Sequence, residues 1–360
     1  MLLSRTASDV YWFGRHLERA ESIARVVDQH TSMLVDLPVD IEADWSVLLG
    51  VTGATDSFAE RYDTHDEGRI IAFTLADISN PSSLVRTISA ARENLRVTRQ
   101  LLPRSAWETL NRVHHEVVEQ ATLCGDRAVR RVTLHNVIDR LRQLGGLLDA
   151  AMARDDTWRL CQLGRHLERA DLTARVLDVR AATLLAAGSR EDVPPADRSP
   201  YEDVRWLGVL RALEAHHMYM RSTTGGVEPT SVLRFLIDDA SCPRSIAHCV
   251  ATMSDLLGAL PDRPPTAAAL DRLVDAVRPD GSADATPVER GAVVAPTLHR
   301  RLERTQRALI VTHAAIEAAY LTGDAHPAGT LRADVSSPMP GMAIRNWLVR
   351  LIGVPDMKTF

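Results

Sequence analysis

Glutamate and arginine recur together in this chain at one spacing that suits chemistry: GRHLERAE over residues 14–21 and GRHLERAD over residues 164–171. At about 100° per residue, Gly14, Glu18, Glu21, Arg25 and Asp28 fall within about 40° of one line on a helix, beside an apolar stripe of Phe13, Leu17, Ala20 and Ala24. The second copy repeats the arrangement with Gly164, Glu168, Asp171, Arg175 and Asp178 beside Leu163, Leu167, Ala170 and Ala174. Arg15, Arg19, Arg165 and Arg169 flank the two lines. A glycine at the head of a charged seam admits a second backbone, and two copies facing about a pseudo-twofold axis would set carboxylates against guanidinia. Several chemistries are open to such a seam. Ion pairs from Arg15 to Glu18, from Glu18 to Arg25 and from Arg25 to Asp28 would satisfy one another in a helix–helix contact. The same groups would hold a polar ligand or peptide between the halves, arginines gripping carboxylates and glutamates accepting from amines or amides. Glu18 and Glu168 are the candidate acid and base for making or breaking an amide bond. A dinuclear metal centre would need Glu-x-x-His pairs, which are missing after both glutamates, and His16 and His166 turn to another face. No metal and no cofactor is assigned.

The elements that must position these residues are helices. Apolar residues recur at three and four in Phe13, Leu17, Ala20, Ala24 and Val27, in Val129, Val132, Val137, Leu141, Leu144 and Leu148, and in Leu302, Leu309, Val311, Ile316 and Tyr320. Nothing reads as a run of strands, so the fold class is all-α. The two motif copies are 150 residues apart, and a second pair of blocks follows in the same order, FTLADISNPSSL from Phe73 and FLIDDASCPRSI from Phe235. There Asp77 matches Asp239, Pro81 matches Pro243 and Ser83 matches Ser245, with Trp45 and Trp206 between the blocks of each half. This predicts an internally duplicated helical bundle. Residues 1–150 form the first half, and residues 151–321 form the second half with the closing helices, continuous with the first. Aspartate four residues before proline, with serine two residues on, is what a helix end followed by a new N-cap looks like. Asp155, Asp156 and Thr157 supply acceptors for another N-cap, and Gly145-Gly146 and Gly225-Gly226 are breaks or points of close packing. Residues 188–200 and 260–296 read as exposed connections, the latter enclosing one short helix.

Composition excludes several functions. The chain has 360 residues, 45% hydrophobic and 25% charged, with a formal net charge of -5, which gives no basic footprint for nucleic acid. Lys358 is the only lysine, so neither a phosphate-loop lysine nor a Schiff-base lysine is available in the body of the chain. Cys124, Cys161, Cys242 and Cys249 form no CxxC pair and read as small buried hydrophobes in a reducing compartment. The N-terminus becomes charged before a signal-peptide apolar region could form, and no stretch approaches a membrane span, so a cytoplasmic location is expected. His114-His115 and His216-His217 lack triad or ligand spacing.

Residues 322–360 read as a Pro/Gly/Ser-rich linker followed by an amphipathic tail helix. Ile344, Trp347, Leu348, Leu351 and Ile352 share one helical face, suited to docking on this chain's own core, on a partner protein or on a membrane surface. The opening MLLSRTASDVYWFGRHLERAESIAR, the repeated LGRHLERADLTAR, the FLIDDASCPRSI block and RENLRVTRQLLPRSAWETLN from Arg92 together resemble the bacterial alpha-E domain family over about residues 1–320. By that resemblance Glu18-Arg19 and Glu168-Arg169 are the family's Glu-Arg pairs. Two departures are Leu95, where a small residue is expected, and Cys242-Pro243 in place of Asn-Pro. The resemblance implies a partner protein of a circularly permuted ATP-grasp amide ligase, often accompanied by a transglutaminase-like peptidase. An amide-forming or amide-breaking enzyme and a polar-ligand or peptide-binding module are the alternatives.

Overall fold

A computed structural model describes residues 3–36, 44–188, 202–261, 264–278 and 290–322. Among these the chain is helical throughout, with no strand. The first half runs α1 (Ser4–Asp36), α2 (Ser46–Thr52), α3 (Thr55–Ala59), α4 (Glu67–Leu75), α5 (Leu84–Val97), α6 (Arg104–Gln120) and α7 (Arg127–Ala151). The second runs α8 (Asp156–Gly188), α9 (Glu202–Ala212), α10 (His216–Ser222), α11 (Pro229–Asp238), α12 (Ile246–Gly258), α13 (Pro264–Val277) and α14 (Arg290–Ile316), closed by a π-helical turn, Glu317–Leu321.

α1 and α8 are the two longest helices, 33 residues each, and they pack most heavily on one another. α5, α7, α9 and the closing π-turn cover the rest of α1, while α2, α12 and α14 cover α8. Every residue from 13 to 27 is therefore buried, polar and charged ones included. The buried hydrophobic residues form one cluster reaching from Ala7 in α1 to Leu321, so the seam lies inside the core rather than on its edge.

Helix starts follow their sequence signals. Ser83 accepts from the Arg86 N–H at 3.2 Å and Ser245 from the His248 N–H at 3.0 Å, capping α5 and α12. Asp155 accepts from the Trp158 N–H at 3.1 Å at the head of α8. Other expectations need correction. Gly145 and Gly146 lie inside α7 and break nothing. Gly145 packs on the Arg165 guanidinium, and Gly146 faces open space. Of the described residues between 260 and 296 most are helical, since α13 is a 14-residue helix and α14 begins before Pro296; Pro264 and Pro265 stand in the first turn of α13, where the missing N–H would have little to bond. Val132 and Val311 are exposed rather than core. In α7 the inward position goes instead to Arg130, fully buried over the Trp45 ring and paired with Glu67 at 2.6 Å. The linker and tail, with Ile344, Trp347, Leu348, Leu351 and Ile352, lie outside the described residues.

Candidate functional site: a reciprocal arginine–glutamate crossing

The crossing of α1 and α8 is made by two glycines. A β-carbon built on Gly14 would collide with the carbonyl oxygen of Cys161, and one built on Gly164 would collide with the carbonyl oxygen of Tyr11. Each glycine thus lies against the backbone three residues before the other. With the helix axes this close, the side chains one turn further on meet across the interface rather than along their own helix.

The pairing is reciprocal. Glu168 receives Arg19 Nε at 2.5 Å and Arg19 Nη2 at 3.0 Å, together with Arg15 Nε at 2.8 Å. Glu18 receives Arg169 Nε at 2.8 Å and Arg169 Nη2 at 2.7 Å, and Arg165 Nε stands 3.5 Å away as an ion-pair contact without a hydrogen bond. The Glu-Arg dipeptide of each copy therefore clamps that of the other through a two-point guanidinium–carboxylate fork, the strongest common geometry for such pairs. The two ends differ in that Arg15 hydrogen-bonds Glu168 where Arg165 only approaches Glu18, and in the number of cations. Arg244, ahead of α12, adds a further guanidinium at 2.5 Å from Glu18 and reaches Glu21 at 3.1 Å, whereas Ser82 occupies the matching position of the first half.

Both carboxylates are held ionised. Burial, the largest influence on Glu18, would raise its pKa, but Arg169, Arg244 and Arg165 outweigh it and hold the carboxyl well below its ordinary value. Burial likewise opposes ionisation of Glu168, and Arg19 with Arg15 brings it down to about 2. Arg25 sits on the less compensated side. Burial first, and then Arg244, lower its pKa to about 9 against the pull of Glu21. His16 is buried against Trp12 and pressed down to about 3, chiefly by desolvation.

The structure divides the predicted seam. Within-helix pairs exist as Glu21–Arg25 at 3.5 Å and Asp171–Arg175 at 3.0 Å. The expected Arg15–Glu18, Glu18–Arg25 and Arg25–Asp28 pairs do not form, because the glutamates are turned to the opposite helix. Asp28 and Asp178 lie roughly 15 Å along the helices from Glu18 and Glu168. Asp28 pairs with His135 of α7 at 3.2 Å and Asp178 with His299 of α14 at 2.6 Å. Asp77 and Asp239 accept from Ser79 and Ser241 in the turns ahead of α5 and α12, the helix-end geometry read from their spacing. Pro81 follows in the first turn, and the Pro243 carbonyl accepts from Arg169 at 3.5 Å, tying the second turn to the seam. Sequence reasoning missed Arg244, His135 and His299. Arg244 had a signal, since it puts a charge beside the shared proline where the first block has Ser82, whereas the two histidines had none.

A buried, two-copy Glu-Arg clamp between long helices defines a class of all-helical protein. The model of the Alpha-E family, described as a predicted alpha-helical domain with a conserved ER motif, matches residues 2–321, and the chain belongs to that family. It is similar to an uncharacterised protein of Mycobacterium bovis and to uncharacterised proteins of two Mycobacterium tuberculosis strains. Each is 25% identical over 278 residues, covering 71% of this chain and 30% of the relative. The chain thus spans about a third of the length of these curated relatives. No solved structure matches.

Proposed function

We propose that this protein is a helical accessory subunit of an ATP-grasp type amide ligase system, contributing binding surface rather than the chemical step. One observation carries the choice between subunit and enzyme. Glu18 is fully buried and closed by arginines from α8 and the loop ahead of α12, and Glu168 is closed by two arginines of α1. A general acid or base must exchange a proton near neutral pH and reach its substrate; these carboxylates are ionised, desolvated and already saturated with donors. A clamp is the better reading, with two halves arisen by duplication and fused through it into one domain. The ligase partnership rests on family resemblance, as does the transglutaminase-like peptidase as a further partner. The proposed docking element is the tail carrying Trp347 and Leu348. Among the described residues no helix is long and apolar enough to cross a membrane.

Titration calorimetry of the full chain against a circularly permuted ATP-grasp ligase, with and without ATP, tests the reading. A complex that weakens when residues 342–360 are deleted is the expected result. Absence of heat and of co-elution at saturating concentrations overturns it.

A further inference from the structure

α2 and α9 end in the same turn. Gly53, with φ 66°, follows α2, and the N–H of Ala54 returns to the Leu49 carbonyl at 2.9 Å; Glu214, with φ 56°, follows α9, and the N–H of Ala215 returns to the Leu210 carbonyl at 2.8 Å. The two turns are separated by 161 residues, as are Trp45 and Trp206. A left-handed residue closing a helix is usually glycine, since a β-carbon there costs about 1–2 kcal/mol. The second half accepts that strain and carries a glutamate.

The Glu214 carboxylate reaches Arg142 of α7, in a cleft of about 280 Å³ between α1, α7 and the end of α9. That volume lies near the lower edge of the range for small-molecule sites, roughly 300–1,000 Å³. Three cations, Arg25, Arg142 and Arg211, and three carboxylates, Asp28, Asp139 and Glu214, line it. Arg25 is 4% exposed and donates to the Ala212 carbonyl and to Ser22, but its Nε makes no hydrogen bond. The nearest carboxylate to that Nε, Glu21 at 3.5 Å, is shared with Arg244.

The matching place in the other half carries different groups. His299 pairs with Asp178 as His135 pairs with Asp28, and the residue in the position of Arg142 is Gln306, whose amide donates to Asp178 at 3.4 Å. Val179, standing where α1 has Gln29, packs on Gly50 of α2. The second half thus has neutral Gln306 and Val179 where the first has Arg142 and Gln29, while Glu303 keeps the carboxylate of Asp139; the cleft beside α9 is lined with balanced charge. A polyanion would need a net positive lining and a bare cation a net negative one. Equal numbers of both signs suit a molecule carrying both.

We propose that this cleft binds a small zwitterion, an α-amino acid or a dipeptide, with its carboxylate toward Arg25 and its ammonium toward Asp139 and Glu214. The site stands independently of the ligase partnership. The test is calorimetry of the full chain with L-alanine and L-alanyl-L-alanine, each also as its N-acetyl and C-terminal amide form. Binding of either free zwitterion, weakened at least tenfold by blocking either end, is expected, and which of the two binds better sets the length of the ligand. Glu214→Gly should lower the affinity at least tenfold while leaving the melting temperature unchanged or higher, because glycine relaxes the left-handed turn. Arg142→Gln, which installs the residue of the other half, should weaken binding without unfolding the chain. No heat from either zwitterion at millimolar concentration, equal binding of the blocked forms, or full affinity in Glu214→Gly overturns the proposal.

Discussion

At the scale of single residues, Glu18 and Glu168 differ chiefly in how many cations depend on them, and that difference sets their worth. Removing the charge of a buried carboxylate while leaving its guanidinia in place typically costs about 3–5 kcal/mol, because the orphaned cations remain desolvated. Glu18 is shared by Arg165, Arg169 and Arg244, whereas Glu168 is shared by Arg15 and Arg19. Glu18→Gln should therefore sit at the upper end of that range and Glu168→Gln nearer the lower end. Urea unfolding of each variant reads the difference. An equal small loss, below about 1 kcal/mol for both, would mean that the clamp is not formed in solution and would reopen the glutamates as exchangeable acids. The repeat made these residues visible in the sequence, but not their partners. A helical wheel shows only neighbours three and four apart on one helix, while here the forks cross to another helix at a point fixed by two glycines.

At the scale of elements, the close crossing predicts opposite outcomes for chemically identical changes. Gly14→Ala or Gly164→Ala drives a methyl group into a carbonyl of the facing helix, which cannot retreat without separating α1 from α8; overpacking of this kind costs about 3 kcal/mol. Gly146→Ala meets open space inside α7 and should stabilise by about 0.5–1 kcal/mol through helix propensity alone. Thermal melts of the variants compare them directly, and a melting temperature for Gly14→Ala equal to that of the parent would refute the crossing. The helical fold and its capping serines were legible because periodicity and N-cap chemistry are local. The shared interior was not. Val132 and Val311 satisfy the apolar period yet face outward, and in α7 Arg130 on its Trp45 ring takes an inner place. The cleft beside α9 was equally hidden, because it depends on a left-handed glutamate that nothing in its own sequence neighbourhood marks.

At the scale of the whole molecule, burying the seam has also buried imidazoles, and these set the acid limit of the fold. Burial is the first cause in each case: His16 and His313 are lowered to about 3, His30 to about 4, and His166 well below its ordinary value, from a reference of 6.5. Each stays neutral in the folded chain while its unfolded counterpart takes a proton below about pH 6.5. The unfolded state then binds more protons, so stability is fully present above that pH and is lost as the pH falls toward the folded values. Each such histidine costs up to about 1.4 kcal/mol per pH unit in that window. His299 works the other way, raised mainly by its hydrogen bond to Asp178, and its contribution is present below about pH 6.5 and lost above. The depressed carboxylates act later, their stabilisation being lost only as the pH falls from about 4.5 toward 2. His114 and His216 are lowered by burial as well, and these six groups against one leave a net loss beginning near pH 6, before the clamp carboxylates titrate. Urea unfolding at pH 7.5, 6.0 and 5.0 should give steadily falling free energies, with His313→Gln reducing the slope by about one proton. A flat profile to pH 5 followed by collapse below 4.5 would mean that the imidazoles are solvated, and that the carboxylate clamp alone governs acid unfolding.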